Sequence, residues 1–352
     1  MSPSPIMTNK LHQRLGGGHQ GPQISALGFG LMGLSSHAYG TPPSDDERFA
    51  ILDRAHELGM RFWDSADLYG DNEGLVGKWF QRTGKRGDIF LATKFGFVKG
   101  GQAGEVDSSA EYCRRACEES LRVLGVEWID LYWMHSANPN TPIEETVRAM
   151  AELQKEGKIK HIGLSGISST TLRRASAITK IAAIQADYTV FSRDIEGAAG
   201  SNLLPTCREL GVSIVAATPL GRGILTTSFA QGDADKLFGE KDTRPTHMPR
   251  FQGENLDRNV ELVKKFNGFA ERKGCTVAQL ALAWLIKQGE DIIPIPGTKK
   301  IKYLEENWGA LDVELSDEEE KEIRGFGSEN GFAGAAAPPQ FLAYFYRDTV
   351  EE

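Results

Sequence analysis

Short runs of β-branched and aromatic residues alternate with longer amphipathic stretches along the whole chain, the pattern of parallel βα units rather than of separate blocks of strand and helix. The runs fall at residues 26–29, 61–63, 89–93, 129–134, 159–164, 181–184, 213–217 and 292–295. Eight runs with helical stretches between them predict an α/β fold, a single closed (β/α)₈ TIM barrel, more readily than an open sheet. Capping signals mark the helix starts, because a Ser or Thr oxygen takes up a free backbone N–H while Glu or Gln three residues later reaches back. Ser44 with Glu47, Thr141 with Glu144, and Thr276 with Gln279 all fit, and Pro142 suits a first helical position, where its missing N–H costs nothing. Similar helical stretches run over 108–124 and 169–178, with an extra terminal helix expected over 316–326.

Residues 221–256 are rich in Gly, Asp, Arg and Pro and show no clear period, which predicts a long functional loop between the seventh and eighth strands. Residues 331–339, dense in Gly, Ala and Pro, are expected as an irregular segment near the barrel mouth. Residues 1–20 are polar and rich in Pro, Gly and Ser, and read as a flexible arm ahead of one barrel domain over 21–352. They lack the apolar core of a secretory signal.

Composition narrows the function classes. With 40% hydrophobic and 25% charged residues and no apolar run near the roughly 20 needed to span a bilayer, no membrane segment is expected. The net charge of -8 disfavours general attraction to nucleic acid or anionic membrane, although Lys299, Lys300 and Lys302 form a local basic cluster able to hold a small phosphate. Cys113, Cys117, Cys207 and Cys275 include no C-x-x-C pair and no histidine completing a zinc set. They read as thiols in a reducing cytoplasm, so no metal is expected and the location is expected to be cytoplasmic.

In a barrel the chemistry gathers where strands finish, so polar residues ending apolar runs are the candidates. The second run ends at Asp64, with Tyr69 on the following loop; the third ends at Lys94 and the fourth at His135. A lysine at the end of an apolar strand is costly to desolvate without a carboxylate, and Asp64 is the expected partner. An ammonium beside the phenol would lower its pKa from about 10 toward neutrality and make it a usable acid. Carbonyl reduction needs hydride at carbon and a proton at oxygen; Tyr69 would give the proton while His135 orients and polarises the carbonyl. Gly28, Gly30 and Gly33 form a G-x-G-x-x-G after a strand, but the next residues, L-S-S-H-A-Y-G-T-P-P, do not open the helix that a dinucleotide fingerprint requires.

The segments G-F-G-L-M-G-L-S, F-W-D-S-A-D-L-Y-G, L-A-T-K-F-G, D-L-Y-W-M-H, P-L-G-R-G and I-P-I-P-G-T-K-K resemble the aldo-keto reductase superfamily over about residues 22–315. With M-P-R-F-Q-G-E-N, they are most similar to the branch of pyridoxal reductase and perakine reductase. The resemblance implies a catalytic tetrad of Asp64, Tyr69, Lys94 and His135, and NADPH or NADP+ lying across the barrel mouth. It implies that Gly30, Leu31 and Met32 approach the cofactor, and that Ser165 and Gln185 hold its carboxamide. Pro219, Leu220, Gly221 and Arg222 would run along the pyrophosphate. Gly297, Thr298 and Lys299 would meet the 2′-phosphate, with Tyr303, Glu306 and Asn307 toward the adenine. Two positions depart: Gly166 follows Ser165 where many members have Asn, and Ala217 stands where many have an aromatic that stacks on the nicotinamide. The expected activity is reduction of a small-molecule aldehyde or ketone by a protein expected to act as a monomer, with an oligomer left open. N-T-P-I-E-E-T-V-R-A-M also resembles potassium-channel β-subunits, which bind cofactor and regulate a partner; His135 separates the readings, since those subunits commonly carry Asn there.

Overall fold

The computed structural model describes residues 12–16, 21–232, 238–239 and 241–352. Eight strands form one parallel sheet in sequential order: β3 (Phe29–Gly30), β4 (Phe62–Asp64), β5 (Phe90–Phe95), β6 (Ile129–Met134), β7 (Ile159–Ser165), β8 (Ala183–Asp187), β9 (Ser213–Ala217) and β10 (Ile292–Pro294). The first and last strands meet through Gly28 N–H to Pro294 O (2.9 Å) and Gly30 N–H to Pro296 O (3.1 Å), so the sheet closes into a barrel without a free edge. All eight expected runs supply a strand. The first differs most, pairing at Phe29–Gly30 because glycine there lets two backbones approach: a Cβ on Gly30 would stand 2.8 Å from Ile295 O, and one on Gly297 2.7 Å from Gly30 O.

Two cores result. Residues on the outer face of the sheet pack against the helices, while Phe62, Ala92, Leu131, Trp133, Ala183, Val215, Ile293 and Ile295 fill the barrel interior. Leu15 and Ile24 join the interior core from the N-terminal end of the strands. They belong to a hairpin of β1 (His12–Arg14) and β2 (Gln23–Ser25), anchored by Gly16 N–H to Ser213 Oγ (2.9 Å) and by Ser25 Oγ, which accepts from Phe62 N–H (3.2 Å). Residues 12–16 of the segment expected as a flexible arm are therefore structured, since 12–14 pair as β1 and Leu15 packs into the barrel floor; residues 1–11 and 17–20 lie outside the described residues.

Ser44 and Glu47 cap α1 (Asp45–Leu58) reciprocally, and Thr276 and Gln279 do the same for the helix Val277–Lys287. The Thr141–Glu144 box does not form. Pro142 itself is the N-cap of the helix Ile143–Lys155, and Glu144 pairs with Arg174 (2.7 Å). The stretch 221–256 is not uniformly irregular: it holds short turns of helix at Thr227–Ala230 and Arg244–His247, and the 21-residue helix Gly253–Lys273 begins inside it. The terminal helix Asp317–Glu329 is followed by an irregular segment that returns to the barrel mouth, where Arg347 N–H donates to Gly166 O (2.9 Å). Among the described residues, no helix is long and apolar enough to cross a membrane, and no group of three or more His, Cys, Asp or Glu could hold a metal ion.

Candidate active site

Strand register brings the polar strand ends together. β4 pairs with β5 and β5 with β6, so that Lys94 lies opposite Trp133, and Ser165 lies opposite Gln185 across β7 and β8. Lys94 is fully buried and its ammonium donates to the Asp64 carboxylate, to Ser65 O (2.6 Å) and to the Tyr69 hydroxyl (3.3 Å). All three ammonium protons thus have acceptors, which is what allows a cation to sit at the end of an apolar strand. The other Asp64 oxygen accepts from Trp133 Nε1–H (3.0 Å) and Gln185 Nε2–H (3.1 Å). Burial works to strip the proton from Lys94, but Asp64 and Tyr69 outweigh it and hold the ammonium above its ordinary pKa.

Tyr69 follows Asp64 on a loop fixed by backbone turns and by Asn72, which is fully buried: Ser65 Oγ–H donates to Asn72 Oδ1 (2.6 Å), and Asn72 Nδ2–H donates to Leu31 O (3.1 Å) and Ser35 Oγ (3.2 Å). One amide therefore ties the tyrosine loop to the loop after β3. The Tyr69 ring meets His135 edge-on at 5.9 Å, and Phe97 also meets His135 edge-on, at 5.0 Å. Burial, with the Lys94 charge adding to it, keeps the imidazole well below its ordinary pKa, so it is neutral; its Nδ1 is buried without a hydrogen-bond partner. The expected depression of the Tyr69 pKa is corrected. Burial raises the phenol above its ordinary value; Lys94 pulls down as expected, but the loss of water is the larger effect.

On this loop Asp67 is buried, with Oδ1 unpartnered, and burial together with Glu73 pushes its carboxyl up to about 7. Glu73 is held by the hydroxyl of Thr93 (2.7 Å), the residue before Lys94.

The other residues expected along a dinucleotide lie on or after β3, β7, β8, β9 and β10. Leu31 is buried and Met32 half-buried after β3; Ser165 ends β7, whereas Gln185, expected at a strand end, is the middle residue of β8, which runs on to Asp187. Gln185 directs its amide N–H to Asp64, a second task beside the expected one. Pro219 and Leu220 lead into a turn at Gly221–Gly223, with Arg222 at φ +59°; burial opposes its charge, but Tyr39 and Asp187 outweigh this and raise its pKa. Gly297 packs on Gly30, and Thr298 Oγ accepts from Lys300 N–H (3.1 Å) at the start of the helix Ile301–Trp308. Lys299 is engaged by the loop after β3, donating to Tyr39 O (2.6 Å) and Thr41 O (3.2 Å), while Lys300 and Lys302 flank the Tyr303 ring at 5.6 and 5.9 Å. Glu306 and Asn307 lie on the same helix, Asn307 buried.

Sequence reasoning missed Trp133 as a donor to Asp64, Phe97 against His135, and the staple at Asn72. Strand alternation was the available signal for Trp133, which shares the inward face with Leu131.

A parallel barrel with a lysine–aspartate pair, a tyrosine and a histidine at its strand ends defines a class, and the sequence model of the Aldo/keto reductase family matches residues 26–327; the chain belongs to that family. It is 47% identical over 334 residues to the aldo-keto reductase str7 of Strobilurus tenacellus, covering 94% of each chain. It is 44% identical over 330 residues to the aldo-keto reductase yakc [NADP(+)] of Schizosaccharomyces pombe, covering 93% of this chain and 95% of the relative. Among solved structures it resembles the glycerol dehydrogenase AKR11B4 of Gluconobacter oxydans (TM-score 0.79, 26% identity, 93% and 98% coverage). It also resembles an aldo-keto reductase of Klebsiella pneumoniae in complex with NADPH (TM-score 0.67, 26% identity, 94% and 96% coverage).

Proposed function

We propose that this protein reduces an aldehyde or ketone to an alcohol with NADPH, and that Tyr69 gives the proton. The observation that carries the reading is the Lys94 ammonium, shared between the Asp64 carboxylate and the Tyr69 hydroxyl at 3.3 Å. With its pKa raised, Tyr69 is a neutral phenol throughout the neutral range and holds the proton that a carbonyl oxygen needs. As that proton leaves, negative charge develops on the phenolate beside Lys94, and the fixed ammonium stabilises it without reorganisation. Neutral His135 offers a ring N–H toward the carbonyl oxygen rather than a competing positive charge.

NADPH supplies the hydride when bound. Three observations support a fit. Arg222 is a guanidinium with no carboxylate ion pair among the described residues, at the turn expected beside the pyrophosphate. Lys299, Lys300 and Lys302 gather cations where the 2′-phosphate is expected, with Gly297, two residues before Lys299, packed on Gly30. Ser165 and Gln185 would hold the carboxamide, with Gln185 using the oxygen that its bond to Asp64 leaves over. The yakc relative carries NADP(+) in its name, which agrees with this cofactor.

The same reading covers the branch resembling pyridoxal and perakine reductases, a single barrel domain over 21–352, and a cytoplasmic enzyme. A cofactor-oxidation screen over aromatic aldehydes, pyridoxal, aliphatic ketones and polycyclic carbonyls tests it. NADPH consumption with at least one carbonyl is expected; stoichiometric NADPH binding with no turnover on any would favour the regulatory-subunit reading instead.

A further inference from the structure

Residues 248–255, M-P-R-F-Q-G-E-N, have no part in the proton transfer or in the contacts expected for NADPH, yet they are tightly held. Asn259, fully buried on the helix Gly253–Lys273, donates to Arg250 O (2.9 Å) and Ala333 O (3.0 Å) and accepts from Ala333 N–H (2.8 Å). Asn255, in the first turn of that helix, donates to Pro249 O (3.1 Å), and Gly334 leaves room for it: a Cβ there would stand 2.8 Å from Asn255 Nδ2, at a backbone φ of +81°. Two amides therefore lock the residues ahead of the helix to the C-terminal segment.

The Arg250 side chain is fixed as well. Its Nε–H donates to Gly334 O (3.2 Å), and the guanidinium lies over the Phe332 ring, 4.7 Å from the centroid. The same ring touches the turn Gly221–Gly223, since a Cβ on Gly221 would stand 3.0 Å from Phe332 Cζ. Arg250 thus stands one ring away from the turn that carries Arg222. With Nε and one face engaged, the two amino groups of the fork remain, and among the described residues they meet no hydrogen-bond acceptor and no carboxylate ion pair. Burial disfavours the charge and Arg222 adds to that, while Asp187 and Asp194 favour it without touching it. A guanidinium does not give up its proton in a protein, so a half-buried one without a carboxylate is suited to an oxyanion that a ligand brings.

The pyrophosphate is expected at Arg222 and the 2′-phosphate at Lys299, which leaves the carbonyl compound as the ligand to meet Arg250. We propose that Arg250 is a substrate-recognition residue whose fork holds a carboxylate or phosphate of the carbonyl substrate, and that the substrate class is an aldehyde or ketone carrying such an oxyanion away from its carbonyl. This rests on the reductase reading above. Tyr69 and His135 follow β4 and β6, whereas Arg250 follows β9, so the two ends of the substrate are held from different sides of the barrel.

The test compares kcat/KM for 4-oxobutanoate with that for its methyl ester, and for glyceraldehyde 3-phosphate with that for glyceraldehyde, in wild type, Arg250→Gln and Arg250→Lys, alongside the NADPH dissociation constant. Wild type should prefer the charged member of at least one pair. That preference should fall by about 10–100-fold in Arg250→Gln and by less in Arg250→Lys, which keeps the charge without the fork, while NADPH affinity stays within a few-fold of wild type. The pair that responds tells carboxylate from phosphate. Should Arg250→Gln fail to fold, salt decides with the wild type: the preference should weaken as the Debye length shortens from about 30 Å at 0.01 M to about 3 Å at 1 M, and a preference that salt leaves unchanged overturns the site. Equal losses for charged and neutral members in Arg250→Gln, matched by a loss of NADPH affinity, assign the guanidinium to the cofactor and overturn the proposal. Turnover of these aldehydes by wild type with no preference for charge overturns the oxyanion site alone. A wild-type protein that consumes NADPH with none of them, nor with any carbonyl of the broader screen, overturns the reductase reading and the site with it.

Discussion

Lys94 and Tyr69 show how a barrel turns an unfavourable burial into chemistry. Complete burial of an ammonium is tolerated because one carboxylate, one carbonyl and one phenol take its protons, and the same three bonds aim it at the atom that must lose a proton. The types of these residues, and their places at the ends of apolar runs, were readable from the sequence. The sign of the net shift on Tyr69 was not, because it depends on how much water the fold removes, and burial outweighs the lysine. Asp67 carries the same lesson into stability. Its folded pKa of about 7 stands above the ordinary carboxylate value of 3.8, so between the two the folded state binds the extra proton and stability falls as pH rises through that window. Asp67→Asn should therefore raise the melting temperature at about pH 8 and leave it little changed at about pH 4. An equal effect at both would show that Asp67 does not titrate in that window.

At the scale of elements, the register of β5, β6 and β7 makes the site. Trp133 projects inward from β6 and reaches Asp64, and the flat indole fits only because its neighbour on β7 is Gly163, where a Cβ would stand 2.2 Å from the ring. Gly163→Ala should cost about 1–3 kcal/mol by overpacking and lower turnover as well, since the displaced indole loosens its bond to Asp64. Thermal melting and kcat measured together check this; an alanine variant as stable and as active as wild type would contradict it. The strands and most helices were legible because their periodicity and caps are local. Ser44 and Thr276 cap as their sequences suggest, whereas Pro142 displaced Thr141 by taking the cap position itself. The helix beginning at Gly253 was hidden in a stretch read as loop, because its first turn follows two short helical turns with no common period. The docking of Tyr344 against Gly104 joins positions 240 residues apart and leaves no local mark.

The whole molecule is a tube closed at one end and chemically active at the other. The hairpin of β1 and β2 plugs the floor with Leu15 and Ile24, and the polar strand ends, the loop after β3 and the C-terminal segment surround the mouth. Separation of floor from mouth predicts separable effects. Ile24→Ala should destabilise the fold by about 2–5 kcal/mol while NADPH affinity stays within a few-fold of wild type. A large loss of affinity at temperatures where the variant is fully folded would contradict the division.

The measurement that bears most directly on the account is kcat of Tyr69→Phe alongside its NADPH dissociation constant, with a carbonyl that the wild type reduces. Removing only the phenolic oxygen should leave cofactor binding nearly intact and lower kcat by about 10²–10⁴-fold. Turnover within a few-fold of wild type would mean that some other group delivers the proton.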